Sequence, residues 1–344
     1  MTRVQERKED MNSSLNGAYS LLTVIINRSK AQRVLQFAKT IGIKRYTSLI
    51  GRGTVPNAIL QMLELGDINK EIILFVVPSV DEKKLLDAFN TKFSFDKRNT
   101  GIIFSVSLSE CLGITHKAPV HSVVETQSTS GIVGIFTVVD KGVGEEIIAI
   151  SHADACFGGT ILPAHGSADH SYKIFDLAVQ AEKETVLMLV PAGKVASLKD
   201  KLISNHNFKK ANSGIFFTFD VNAFYGLVKN LPIEGEARDE ENSEQYDAIW
   251  AVVPSGKDTA VIESAEKGGS TGGTIFHARG SHVVEHGIFV NAIEPEKELV
   301  MLISKRDKTE SISKSINEEF RLDDPGNGVL FVFPISNPTG FFVQ

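Results

Sequence analysis

The chain has 344 residues and a net charge of −6, with 42% hydrophobic and 23% charged residues, a balance that is ordinary for globular proteins. An acidic chain offers no electrostatic footprint for non-specific binding of nucleic acid, and no apolar run approaches the roughly 18 residues of a membrane span. The two cysteines, Cys111 and Cys156, do not occupy equivalent positions in the sequence pattern, which argues against a disulfide framework, so we expect a reducing, cytoplasmic location.

The same pattern recurs three times along the chain. A Lys-Glu pair opens an apolar, strand-like run at Lys70, Lys183 and Lys297, at intervals of 113 and 114 residues. With these offsets the copies align without an insertion from Leu22 to Ile114, so each copy is one folding module. The offsets also superpose threonines, glycines and phenylalanines: Thr47, Thr160 and Thr274; Gly53, Gly166 and Gly280; Gly101, Gly214 and Gly328; Phe104, Phe217 and Phe331; and Gly113, Gly226 and Gly340.

This repetition divides the chain into three segments. Segment 1 covers residues 20–114, segment 2 covers 131–227 and segment 3 covers 246–344, after a mobile leader over 1–19. The stretches between them, 115–130 and the acidic 228–245, have the composition of solvated linkers. We predict that each segment folds as a domain.

Hydrophobic periodicity predicts the elements of a segment in chain order. Strand, helix, two strands, helix and a last strand follow one another, which predicts an α+β fold of three tandem ferredoxin-like (βαββαβ) domains. Gly42 and Gly269 suit the C-terminus of the first helix in segments 1 and 3. In segment 1 the markers are Thr23–Asn27, the apolar stripe from Ala31 to Ile41, the strand from Thr47 to Arg52-Gly53, the run after Lys70-Glu71, the stripe of Leu85, Phe89 and Phe93, and the alternation of Phe104, Val106 and Leu108.

The last strand alternates, so its residues divide between two faces of the sheet. Because Phe104 and Phe331 share one face, we expect Ile103, Leu330 and Val332 on the face that carries no helices. That face needs a partner, and burial between the segments supplies one.

The end of the second strand is the first candidate site. Glycines let backbone amides approach a ligand closely, and a cation beside them can meet a phosphate. Tight turns at the strand end explain the same glycines, and that alternative stays open. The candidate residues are Gly51, Arg52, Gly53, His165, Gly166, Arg279 and Gly280.

The loop before the last strand is the second candidate site. It is basic in segments 1 and 2, where it could hold an anion, and acidic in segment 3, where it would repel one. An ordinary turn remains the alternative in every copy. The candidate residues here are Arg98, Gly101, Lys209, Lys210, Gly214, Gly326 and Gly328.

Catalytic and metal-binding patterns are weak. His165 and His170 are closely spaced, as are His282 and His286, but no cysteine or carboxylate cluster joins either pair at ligand spacing, so no metal site is predicted. No nucleophile, phosphate-loop or paired-carboxylate motif recurs across the copies, so we expect no enzyme. The repeated Lys-Glu is interpreted as the solvated start of a strand.

Three stretches of segment 3 together resemble the PII family of nitrogen-regulatory signalling proteins, in its short, divergent PII-like members. They are Gly272–Gly280, Glu296–Glu298 at the head of a strand, and the run from Asp324 to Val332. The resemblance covers each segment nearly end to end and is weakest in segment 1, where Arg45-Tyr46 replaces the paired glycines.

The resemblance implies a trimer whose sheets face inward, with ATP or ADP in the clefts between subunits and a long T-loop presented to a target protein. Here it implies an intramolecular pseudo-trimer with the T-loop position after Gly53, Gly166 and Gly280. The lysine that the family places after the last-strand glycine is Ile102, Ile215 or Val329 in this chain.

We therefore expect a monomeric sensor that binds a small effector, for example an adenine nucleotide, and regulates an unknown partner protein. One alternative is an interaction protein that has lost its effector. The other is a metal-binding protein that resembles the divalent-cation-tolerance relatives of the same fold.

Overall fold

The structure is a computed structural model that describes residues 19–53, 69–97, 100–114, 130–152, 159–167, 173–174, 177–178, 181–206, 208, 214–225, 245–280, 295–324 and 326–339. It is a mixed α/β fold in which every described strand pairing is antiparallel. One 14-stranded sheet contains strands from all three segments.

The predicted order of helices and strands recurs in each segment. Segment 1 comprises β1 (Tyr19–Asn27), α1 (Arg28–Thr40), β2 (Thr47–Gly53), β3 (Asn69–Pro78), α2 (Glu82–Phe93), β4 (Ile102–Leu108) and β5 (Glu110–Leu112). Segment 2 comprises β6 (Ile132–Asp140), α3 (Gly144–His152), β7 (Gly159–Gly166), β8 (Lys173–Ile174), β9 (Leu177–Ala178), β10 (Ala181–Pro191), α4 (Val195–His206), β11 (Ile215–Asp220) and β12 (Ala223–Tyr225). Segment 3 comprises β13 (Tyr246–Pro254), α5 (Asp258–Lys267), β14 (Gly273–Gly280), β15 (Glu296–Lys305), α6 (Arg306–Phe320) and β16 (Val329–Thr339).

Each segment buries a core of its own between its helices and one face of its strands. The strand order β2-β3-β1-β4 of segment 1 recurs as β7-β10-β6-β11 and β14-β15-β13-β16. In segment 1 the apolar stripe of α1 packs with the Phe89 side of α2 on the strands. Gly42 and Gly269 follow α1 and α5 at φ of +91° and +100°, as expected for glycines that end helices. Tyr19 is the first residue of β1 and not part of a leader.

The prediction of which strand face is free of helices was wrong. Ile103, Leu330 and Val332 pack with the helices of their own segments, whereas Phe104 and Phe331 point the other way. Both faces of this strand are apolar, so alternation alone separates the faces without saying which one the helices cover. The phenylalanines lie in a central core to which all three segments contribute.

Aromatic rings make up much of this central core. Phe136 of segment 2 stacks on Phe217 at a centroid distance of 5.4 Å and meets Trp250 of segment 3 at 5.8 Å. Phe219 of segment 2 lies 6.3 Å from Phe104 of segment 1 and 5.8 Å from Phe333 of segment 3. A cavity of about 20 Å³, room for roughly one water molecule, is lined from all three segments.

The second strands of the three segments pair with one another in a repeated register. Gly53 lies opposite Thr160, Gly166 opposite Thr274, and Gly280 opposite Thr47. These six residues occupy two equivalent positions of the sequence repeat. Each second strand therefore contacts both others, and the contact between β14 and β2 joins segment 3 to segment 1.

The chain that follows each last strand also crosses to another segment. In β5 of segment 1, Cys111 lies opposite Phe331 of β16, and in β12 of segment 2, Phe224 lies opposite Phe104 of β4. The end of β16 pairs with β11 of segment 2, where Thr339 lies opposite Phe216. The C-terminal strand of each segment, which we call its tail, therefore pairs with another segment. The tail of segment 1 pairs with segment 3, that of segment 3 with segment 2, and that of segment 2 with segment 1.

The tail of segment 1 carries a carboxylate with a shifted pKa. Burial raises the pKa of Glu110, the nearby Ser313 hydroxyl lowers it in part, and the charges of Glu310 and Asp247 raise it further. A raised folded-state pKa means that the folded protein holds this proton more tightly than the unfolded chain, so the stability it contributes is present at low pH and lost as the pH rises through the folded pKa.

We therefore predict that Glu110→Gln raises the free energy of unfolding at pH 7, because it removes a partly buried charge beside two other carboxylates. The gain should shrink at pH 4, where the wild-type carboxyl is itself protonated. Urea unfolding of both proteins at the two pH values measures this. A gain that is equal at both pH values, or a loss at pH 7, would contradict the assignment.

Candidate functional site

The glutamate of the repeated Lys-Glu is buried in segments 2 and 3, so its interpretation as a solvated strand start was wrong. Glu298 is 6% exposed and accepts hydrogen bonds from the backbone amides of Gly256, Lys257 and Asp258 at 2.9, 3.0 and 2.9 Å. Glu184 accepts one from the amide of Gly144 at 2.9 Å. A carboxylate beneath a helix start satisfies amides that the helix itself leaves unpaired.

The lysine of the pair explains the glycine at the end of the second strand. A Cβ on Gly53 would lie 2.6 Å from Cε of Lys70, and one on Gly280 would lie 3.2 Å from Cγ of Lys297. In segment 2 the corresponding distance, from Gly166 to Cε of Lys183, is 3.4 Å. The aliphatic stems therefore pack closely over these strand ends, and the recurring glycines serve packing without a ligand being needed.

Gly51 has a different neighbour. A Cβ there would lie 2.8 Å from the carbonyl oxygen of Ile161, because β2 approaches β7 of segment 2 closely at this point. The glycine therefore permits the contact between segments 1 and 2.

The last-strand glycines are also accounted for by the backbone. Gly101, Gly214 and Gly328 have φ of +121°, +130° and +146°, in the region that favours glycine. A Cβ at each would lie 2.6, 2.5 and 2.6 Å from the carbonyl oxygen of a neighbouring-strand residue, Ile25, Val138 or Val252. Gly326 has open space around it, and Arg98, Lys209 and Lys210 lie outside the described residues.

The three cationic positions at the second-strand ends have different surroundings. Arg52 forms ion pairs with Glu145 and Glu184 of segment 2, the second at 3.1 Å. His165, its equivalent in segment 2, meets His277 of segment 3 in an edge-to-face ring contact. The charge of Arg52 is therefore already matched by carboxylates of the protein.

Arg279 is the third of these positions and is exposed. Among the residues that the structure describes, it has no ion pair or hydrogen bond, and Gln32 holds the helix position that Glu145 holds in segment 2. Its neighbour across the strands is Ser48, which is 2% exposed and whose hydroxyl has no hydrogen-bond partner within the described ranges. The equivalents of Ser48 are Ile161 and Ile275, so this contact alone combines a free guanidinium with a buried hydroxyl.

Lys297 lies near this contact on the adjacent strand β15, opposite Ala278. Its side chain is on the other face of the sheet from that of Arg279. Burial lowers the pKa of Lys297. Lys70 and Lys183 bond to Asn27 and Asp140, whereas the equivalent residue in segment 3 is Pro254, which has no side-chain acceptor. Sequence offsets alone would have revealed this loss of a partner.

The described part of the chain contains no group of three or more His, Cys, Asp or Glu side chains arranged to hold a metal ion. The other histidines of the two closely spaced pairs lie outside that part: they are His170, His282 and His286. No helix in the described ranges combines the length and the apolar character that crossing a bilayer requires.

Comparisons with known proteins leave the family open. No family model and no curated protein matches the chain. Among solved structures, the chain is weakly similar to one titled "Crystal structure study of anthrone oxidase-like protein", with 9% identity over 63% of this chain and 97% of that one. The TM-score is 0.19, which is too low to support an argument about fold or function.

Proposed function

We propose that the chain is a PII-like sensor in which three ferredoxin-like segments form an intramolecular pseudo-trimer. Two observations support this proposal. The second strands contact one another at equivalent positions, with the same register in all three contacts. Each tail also passes to another segment, so that the helix-free faces enclose one central core.

The effector is a small anion, for example an adenine nucleotide or another phosphate-bearing molecule, held where segment 3 contacts segment 1. This location of the effector rests on one observation: two equivalent arginines differ in whether carboxylates neutralise their charge. Arg52 is matched by Glu145 and Glu184, whereas Arg279 has no such partner among the described residues. A guanidinium presents several donors to a phosphate, and the buried hydroxyl of Ser48 could add another.

Binding of this effector would change how the segments present their surface to a partner protein. A cytoplasmic location and a monomeric state stay predictions from the sequence. Nitrogen status as the sensed quantity rests on the resemblance alone.

A thermal-shift screen tests the proposal, because a ligand that binds only the folded state raises the apparent stability. At a hundredfold excess over its dissociation constant, an effector should contribute about 2.7 kcal/mol, a shift of several degrees in Tm. The screen covers adenine mono-, di- and triphosphates, cyclic dinucleotides and inorganic phosphate.

Arg279→Gln should remove that shift while leaving the unliganded Tm near the wild-type value. Arg52→Gln is the matched control at the equivalent position. It should lower the unliganded stability by about 0.5–1 kcal/mol, since the ion pairs are partly exposed, and keep the ligand-induced shift. Loss of the shift in Arg52→Gln with retention in Arg279→Gln would overturn the assignment of the site.

The alternative of an interaction protein without an effector has one observation in its favour. Ile102, Ile215 and Val329 stand where the PII resemblance would place a phosphate-binding lysine. If no compound in the screen changes the Tm of the wild-type protein, this alternative replaces the sensor.

A further inference from the structure

Two histidines that are 112 residues apart in sequence meet at the contact between segments 2 and 3. His165 lies in β7 and His277 in β14, and their ring centroids are 5.5 Å apart at an interplanar angle of 73°. In the strand ladder His165 lies opposite Ile275, two residues before His277, so both imidazoles are on the same face of the sheet. His277 is exposed and His165 partly exposed, so a solvent ion can reach them.

The pair is particular to this contact. At the equivalent positions of the contact between segments 1 and 2 lie Arg52 and Pro163, and between segments 3 and 1 lie Arg279 and Ile50. Neither of those pairs can ligate a metal through two neutral nitrogens. The same backbone register therefore occurs in all three contacts, but it brings two imidazoles together in one of them. The other two contacts form without histidine, so the fold does not require histidine at these positions.

From this geometry we propose that His165 and His277 form a transition-metal site that bridges segments 2 and 3. A metal about 2 Å from one nitrogen of each ring holds the ring centroids roughly 5–6 Å apart, which matches the observed separation. Imidazole nitrogens suit Zn²⁺, Ni²⁺ and Cu²⁺ rather than Mg²⁺ or Ca²⁺, which prefer oxygen.

The site would be open, with water or a small ligand completing the coordination. Two glutamates lie opposite the histidines in the ladder, Glu298 opposite His277 and Glu182 opposite His165. The Glu298 carboxylate accepts hydrogen bonds from the amides at the start of α5, and the Glu182 carboxylate accepts them from Lys141. Among the residues that the structure describes, His165 and His277 are therefore the proposed ligands of the metal. Because ligation needs neutral imidazoles, metal affinity must fall on acidification. This site is independent of the proposed effector site at Arg279.

Calorimetric titration of Ni²⁺ and Zn²⁺ into the full chain, free of any polyhistidine tag, tests the proposal. Wild-type protein should show one saturable site that weakens between pH 7.5 and pH 5.5. His165→Gln and His277→Gln should each weaken binding by at least about tenfold. His206→Gln is the matched control, since His206 is a segment 2 histidine whose nearest ring contact is Phe208. It should bind as the wild type does.

Cu²⁺ bound to the wild type should show two nitrogen ligands by electron paramagnetic resonance, and one in each single variant. Circular dichroism establishes that the variants are folded. The proposal is overturned if either His165→Gln or His277→Gln binds as tightly as the wild type, if His206→Gln weakens binding equally, or if no saturable binding occurs.

Discussion

Gly328→Ala is expected to lower the free energy of unfolding by about 3–5 kcal/mol. The residue has φ of +146°, which strains any side-chain-bearing residue, and the new Cβ would lie 2.6 Å from the carbonyl oxygen of Val252. Neither conflict can be relieved by rotating a side chain, because both involve backbone. Urea unfolding, with the midpoint and slope fitted together, gives the loss.

Gly326→Ala is the matched control two residues earlier. Its φ of +94° is also positive, but nothing lies within 4 Å of the added Cβ, so a loss of only about 1 kcal/mol is expected. Equal losses at the two positions would show that backbone conformation alone matters, and would remove the close approach to Val252 as the reason for Gly328.

Trp250→Ala is expected to cost about 3–5 kcal/mol, the range for removal of a large buried aromatic side chain. The side chain is 7% exposed, and its ring lies 5.8 Å from Phe136 of segment 2 and 5.7 and 5.5 Å from Phe331 and Phe333 of segment 3. The loss would therefore fall on the core that segments 2 and 3 share, and unfolding should remain a single transition.

Trp250→Phe is the control that keeps an aromatic ring. Within the described part of the chain, the indole nitrogen of Trp250 has no hydrogen-bond partner, so its removal leaves no partner unsatisfied. We expect a loss below about 1.5 kcal/mol, due to reduced volume. If Trp250→Ala instead splits the unfolding curve so that segment 3 melts alone, the central core does not couple the segments.

The sequence predicted the elements of this fold well because they depend on local periodicity. The stripe from Ala31 to Ile41 and the positive-φ glycine Gly42 bound α1 without reference to any other part of the chain. Repetition strengthened each assignment, since one pattern had to fit three times. Which face of the last strand meets the helices could not be derived, because Ile103 and Phe104 are both apolar.

The candidate site was less predictable because its features depend on long-range contacts. Glu298 accepts hydrogen bonds from a helix start about 40 residues earlier in the chain. A local capping pattern in the sequence therefore cannot predict this role of Glu298. The meeting of His165 with His277 depends on the register between two segments, whereas sequence proximity suggested His170 as the partner. Arg52 and Arg279 are equivalent in the repeat, and only the neighbouring segment makes them different.

The contact between segments 3 and 1 distinguishes a closed pseudo-trimer from a linear array, and a disulfide across it is the most direct test. Arg279 and Ser48 face each other in the antiparallel ladder, so cysteines placed there fall within disulfide range. The background would carry Cys111→Ala and Cys156→Ser. The control pairs Arg279→Cys with Lys84→Cys on α2, an exposed position on a helix that packs on β1, β4 and β12. We expect rapid intramolecular cross-linking of Ser48→Cys with Arg279→Cys in monomeric protein, and none in the control. Failure to cross-link, or cross-linking only between separate molecules, would contradict it.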